Sequence, residues 1–129
     1  MNAAVTSLLI VDDDVSLLSA LSRYLADSGF RVASSSVFED DKQHISTACP
    51  DVVITDVRLG AFNGLQLAIL ARAVRPDAQV VVFSGFDDPV LKEEARRIGA
   101  AYLVKPVSGK ELVNQLSTAT VDCRPPTAD

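Results

Sequence analysis

Four short runs constrain this chain more than anything else in it: Leu8–Val11, Val52–Thr55, Val80–Phe83 and Tyr102–Val104. Each is β-branched or aromatic and apolar on both alternating faces. A strand with one wet face alternates apolar with polar residues. A strand apolar on both faces must be covered on both, as in a parallel sheet enclosed by helices. Phe30–Ser34 reads as a fifth and weaker strand.

Helical patterns fill the intervals. Asp14–Ser28 places Leu17, Leu18, Leu21 and Leu25 at helical spacing, with Gly29 as a C-terminal stop. Val37–Ala48 carries a thin stripe of Phe38, Ile45 and Ala48. Asn63–Val74 carries Leu67, Leu70, Ala71 and Val74 and is ended by Pro76. Asp88 before Pro89 reads as an N-cap with proline in the first turn, opening a helix with Leu91, Ala95 and Ile98 that closes at Gly99. Ser108 and Glu111 have capping-box spacing ahead of Leu112 and Leu116. Five βα units in succession predict an α/β fold: a doubly wound, five-stranded parallel sheet with five helices, joined by right-handed crossovers.

A chain of 129 residues, 48% hydrophobic and 22% charged, is long enough to bury one core without staples. Its net charge of −5 argues against a nucleic-acid surface. Cys49 and Cys123 lie far apart, so neither a zinc site nor a disulfide framework is expected. With no signal peptide and no apolar run of membrane length, a soluble, cytoplasmic protein is expected. Residues 1–119 are read as one domain. The remainder, 120–129, is read as a flexible tail or the start of a linker, since Pro125 and Pro126 stop a helix and nothing apolar follows.

In open α/β sheets the ligand crevice lies beyond the carboxyl ends of the strands. Asp12 and Asp13 follow the first run, Asp56 the third strand, Ser84 the fourth and Lys105 the fifth. Three acids close together raise one another's pKa unless a cation compensates them. Mg²⁺ suits such oxygen ligands and leaves positions for water and phosphate. Asp56 could then act as a nucleophile toward phosphorus, with Lys105 and Ser84 holding phosphoryl oxygens. The alternative for Asp12–Asp14 alone is a solvated helix start, because acids favour helix N-termini.

Taken together, the acidic pair in IVDDD, the Asp in ITDVRL, the hydroxyl in VFSGF and the Lys in VKPV resemble the receiver domain of two-component response regulators over roughly residues 6 to 119. The resemblance implies the flavodoxin-like strand order 2-1-3-4-5. It makes Asp56 the phosphoacceptor, and Asp12, Asp13, Asp56 and the backbone carbonyl of Arg58 the Mg²⁺ ligands. Ser84 and Lys105 become the switch hydroxyl and the phosphate-binding lysine, and Tyr102 an aromatic switch. It also implies a cis Lys105–Pro106 bond, with Asp14 left to cap the first helix.

Further expectations follow from the family. A histidine kinase or phosphotransfer protein would be the donor. The fourth helix, fifth strand and fifth helix, with Lys92, Arg96, Tyr102 and Lys110, would form the partner or homodimer face. Arg58 and Phe86 occupy positions that tune hydrolysis of the acyl phosphate, and Phe86 is expected to hinder the attacking water. Gly60 stands where the family often has proline, which predicts a more mobile loop before Gly64. The segments DVRLGAFNG and SGF are similar to receivers of transcriptional regulators, so a stand-alone receiver and the first domain of such a regulator are both open.

Two other classes fit less well. A phosphatase with an Asp nucleophile would place a second acid two residues on, where Arg58 stands. A flavodoxin-like nucleotide carrier needs a Ser/Thr/Gly-rich loop after the first strand, and DDDVS is its electrostatic opposite.

Overall fold

A computed structural model of the chain describes residues 6–59 and 62–123. The elements alternate as β1 (Ser7–Val11), α1 (Val15–Asp27), β2 (Arg31–Ser35), α2 (Phe38–Ala48), β3 (Val52–Asp56), α3 (Leu65–Val74), β4 (Gln79–Ser84), α4 (Pro89–Ile98), β5 (Ala101–Val104) and α5 (Gly109–Cys123). A short antiparallel ribbon, Arg58–Leu59 against Phe62–Asn63, lies between β3 and α3. The five sheet strands are all parallel, in the order β2-β1-β3-β4-β5. The expected doubly wound sheet and its strand order are therefore present.

Strand pleating sends successive residues to opposite faces, which divides the core in two. Leu9, Val11, Val53, Val80 and Val82 pack on one side with Phe38 and Ile45 of α2, Leu67, Ala68 and Ala71 of α3, and Ala95 of α4. Leu8, Ile10, Val52, Ile54, Val81 and Phe83 pack on the other with Leu18, Leu21 and Leu25 of α1 and Leu112 and Leu116 of α5. Leu112 and Leu116 are fully buried, and each contributes about 1.5–3 kcal/mol to holding α5 against the sheet.

The helix starts follow their sequence signals. Asp14 Oδ1 accepts from the Leu17 N–H at 3.2 Å, and Asp88 Oδ1 from the Val90 N–H at 2.9 Å. Ser108 and Glu111 form a reciprocal capping box: the Ser108 N–H donates to Glu111 Oε1 at 2.8 Å, and the Glu111 N–H to Ser108 Oγ at 3.1 Å.

Several boundaries differ from the sequence reading. β2 begins and ends one residue later, at Arg31 and Ser35. α3 begins at Leu65, because Asn63 belongs to the ribbon and uses its side chain to accept from the Leu65 N–H at 2.8 Å. The inner stripe of α2 is Phe38, Asp41 and Ile45, while Ala48 is exposed. α5 continues to Cys123, four residues into the stretch read as a tail. Residues 124–129 and Gly60, for which mobility was expected, lie outside the described residues.

Candidate functional site

The strands that carry the site residues are fixed by burial, and each releases its polar residue at the same rim. β1 ends at Val11, and the next residue, Asp12, is 0% exposed. β3 ends on Asp56, 7% exposed, and β4 on Ser84, 2% exposed. Backbone bonds extend the register past the strands: the Val57 N–H donates to the Phe83 carbonyl at 3.0 Å, and the Lys105 N–H to the Ser84 carbonyl at 2.8 Å. The Lys105–Pro106 bond is cis.

Lys105 Nζ donates to Asp12 Oδ2 at 2.9 Å and to Asp56 Oδ2 at 3.3 Å, and lies 5.0 Å from the centre of the Phe83 ring. Asp12 Oδ1 accepts from the Asp14 N–H at 2.9 Å. The carboxylates of Asp12, Asp13 and Asp56 each offer an oxygen within 4.8 Å of the others. Asp13 is the exposed member of the set.

The electrostatics oppose charge on Asp56. Burial raises its carboxyl above the ordinary value, and the Asp12 carboxylate raises it further; Lys105 and the Arg58 backbone N–H pull it back only in part. For Lys105, burial alone would lower the ammonium, but its bonds and attraction to Asp12 and Asp56 outweigh that and raise it. One ammonium thus serves two buried acids and leaves a negative surplus at the rim. A divalent cation with oxygen preference is the chemical complement of that donor set.

Ser84 and Tyr102 both bond the backbone of Phe86. Ser84 Oγ accepts from the Phe86 N–H at 3.1 Å, and the Tyr102 hydroxyl donates to the Phe86 carbonyl at 2.7 Å. The Tyr102 ring is partly buried against the α4 side of the core, with Leu91 and Ile98. The Arg58 guanidinium lies 5.4 Å from the centre of the Phe86 ring, and Phe86 is itself exposed.

Gly64 explains how the ribbon closes against the site. Its N–H donates to the Val57 carbonyl at 2.6 Å, and a Cβ there would collide with the Asp56 carbonyl oxygen. Thr55 Oγ1 donates to the same carbonyl at 2.9 Å. Two features escaped the sequence reading: the stacking of Arg58 on Phe86 and the burial of Asp41. The second had a signal, since Asp41 falls three residues after Phe38 and four before Ile45, on the buried stripe of α2.

The chain belongs to the response regulator receiver domain family, whose model matches residues 8–117. It is a receiver domain of two-component signalling, and its relatives are response regulators that act in transcription regulation. It is 32% identical over 111 residues to the photosynthetic apparatus regulatory protein RegA of Rhodobacter capsulatus, covering 85% of this chain and 60% of that protein. It is also 32% identical over 129 residues to the DNA-binding transcriptional regulator NtrC of Azospirillum brasilense, covering 99% of this chain and 26% of that one. The chain therefore spans less than two thirds of either relative. Among solved structures, a CheY-like receiver domain protein from Methanospirillum hungatei JF-1 superposes with a TM-score of 0.86 at 22% identity, covering 92% of this chain and 96% of the other. Among the described residues, no helix is long and apolar enough to cross a membrane.

Proposed function

We propose that this receiver accepts a phosphoryl group on Asp56 from the phosphohistidine of a histidine kinase or phosphotransfer protein. Mg²⁺ would be held by Asp12, Asp13, Asp56 and the backbone carbonyl of Arg58. The observation that supports this best is the gathering of three carboxylates, two of them bonded to one ammonium, at the rim where β1, β3 and β5 end. Bound Mg²⁺ would offset the repulsion among the carboxylates and between them and the entering phosphoryl group.

The chain's own residues divide the remaining work. A carboxylate oxygen of Asp56 attacks phosphorus; the P–O bond forms as the P–N bond breaks, and the imidazole nitrogen keeps the electron pair and takes a proton from solvent. Lys105 exchanges its contact with Asp56 for a phosphoryl oxygen. Ser84 turns its hydroxyl to another, which withdraws the acceptor now used by the Phe86 N–H. Because Phe86 also holds the Tyr102 hydroxyl, that exchange is passed to β5 and to α4 behind it. The α4-β5-α5 face, with Lys92, Arg96, Tyr102 and Lys110, then serves as the surface for a partner or a second copy. Self-phosphorylation and slow hydrolysis support signalling, and the domain is not a turnover enzyme. It works in the cytoplasm, without direct contact to nucleic acid or membrane, as the input domain of a transcriptional regulator.

Intact mass spectrometry tests this directly. Incubation with acetyl phosphate should add one phosphate when Mg²⁺ is present, and none without Mg²⁺ or in Asp56→Ala. An adduct that persists in Asp56→Ala would move the acceptor elsewhere.

A further inference from the structure

The inner stripe of α2 places an acid between two core residues. Phe38 and Ile45 belong to the layer beneath α2 and α3, and Asp41 lies between them on the same face, 0% exposed. Among the described residues, neither carboxylate oxygen is satisfied by a well-formed hydrogen bond; the Ser35 hydroxyl offers at most a weak one. An ionised carboxylate is far costlier in such a place than a neutral one. Burial pushes its carboxyl up from 3.8 to about 6; Ser35 opposes this, and the neighbouring Asp40 adds to it.

Among the described residues no cation is paired with Asp41, and His44, half-buried one turn further along α2, forms no ion pair with it. α2 packs on β2 and α3. β2 carries only Arg31 as a charged residue, at the opposite end from Ser35, and α3 only Arg72, whose Nη1 is bonded to the Ala78 carbonyl at 2.8 Å. On α2 itself, Lys42 pairs with Glu39 at 3.8 Å, and both are exposed. Arg58 of the ribbon is engaged over Phe86. Among the described residues, the groups that act on Asp41 are Ser35 and Asp40, a hydroxyl and a like charge.

We propose that Asp41 is a proton-binding site separate from the rim, occupied while α2 is docked, so that the seating of α2 on the sheet responds to pH. The neutral acid can donate to Ser35 Oγ, which already accepts from the Val37 N–H at 3.1 Å. The ionised acid must admit water or leave the core. Leaving would carry Phe38 with it, and Phe38 stacks on Phe62 of the ribbon after β3, with ring centres 4.4 Å apart and 4° between planes. The proton on α2 is thereby linked to the segment that follows Asp56.

The sign of the pH dependence follows from the raised carboxyl. Below about pH 4 both folded and unfolded forms hold the proton, and the contribution is fully present. It is lost as pH rises through about 6, because the unfolded chain has already ionised. About two pH units between the states correspond to a roughly hundredfold change in the unfolding constant.

The test is a carboxyl ¹³C NMR titration of the whole chain from pH 4 to 8, with urea unfolding at each end. Asp41→Asn and Asp56→Asn serve as comparisons. One carboxyl should titrate near 6, disappear in Asp41→Asn and persist in Asp56→Asn. The wild-type unfolding constant should rise roughly a hundredfold relative to Asp41→Asn across that range. An Asp41 carboxyl that titrates at the ordinary aspartate value overturns the proposal, as do parallel stability curves for the two proteins. If Asp41→Asn does not fold, the wild-type titration decides alone. Amide exchange in α2 supplies a second reading: it should quicken from pH 5 to pH 7.5 beyond the intrinsic chemical rate, and unchanged protection counts against the idea.

Discussion

Asp56 is held where its own charge is disfavoured, beside an acid more deeply buried than itself and a lysine shared between them. A nucleophile in that position needs access, and Phe86, two residues past Ser84, presents an exposed ring against the Arg58 guanidinium, two residues past Asp56. A flat ring capped by a cation obstructs an approaching water more than it obstructs a large donor that displaces it. Phe86→Ala should therefore shorten the lifetime of a phosphate on Asp56 by roughly threefold, through easier entry of water. Following loss of the adduct by mass after removal of acetyl phosphate measures this, and an unchanged lifetime would sink it. The convergence of Asp12, Asp13, Asp56, Ser84 and Lys105 on one rim was readable in advance because each ends or follows an apolar run. The stacking of Arg58 on Phe86 was not, because side chains from separate loops meet there without any periodicity to announce it. Asp41 was overlooked for the opposite reason: its place on the stripe was visible, but an acid there looks like a surface residue until its surroundings are known.

The four doubly apolar runs became β1, β3, β4 and β5; the first three are buried on both faces, while β5 is an edge strand, half-buried and with Val104 exposed. β2 is the opposite edge strand, partly buried and carrying Arg31, Ser34 and Ser35, so its apolar pattern is weaker and its bounds moved by one residue. The ribbon at Arg58–Leu59 and Phe62–Asn63 has two residues a side, too short for any alternation to show. Its geometry rests on Gly64, whose missing Cβ lets the chain pass against the Asp56 carbonyl. Gly64→Ala must push that backbone aside, and should cost about 1–3 kcal/mol by urea unfolding. It should also weaken phosphorylation more than a comparable loss of stability elsewhere, because the displaced atoms belong to the acceptor residue itself. A variant as stable and as readily phosphorylated as the wild type would mean that the ribbon yields freely.

Across the whole domain, the rim trades stability for readiness. With its carboxyl raised, Asp56 favours the folded state at low pH, and that contribution is lost as pH rises through its folded-state value. Asp56→Asn should therefore melt higher than the wild type at pH 8, and the difference should shrink toward pH 4. Mg²⁺ at about a hundred times its dissociation constant should stabilise the wild type by about 2.7 kcal/mol and the variant by less. Thermal unfolding at both pH values, with and without Mg²⁺, checks both statements; equal responses of the two proteins to Mg²⁺ would remove Asp56 from the ligand set. The strand order carries another consequence, for the chain as it is made. β1 lies between β2 and β3, so its inner pairing must wait until Val52–Asp56 has left the ribosome. At roughly 5–20 residues per second, Leu8–Val11 emerges on the order of seconds before that partner. During synthesis, the nascent chain exposes its most apolar strand beside three acids, whose charge keeps it dispersed until the sheet can close around it.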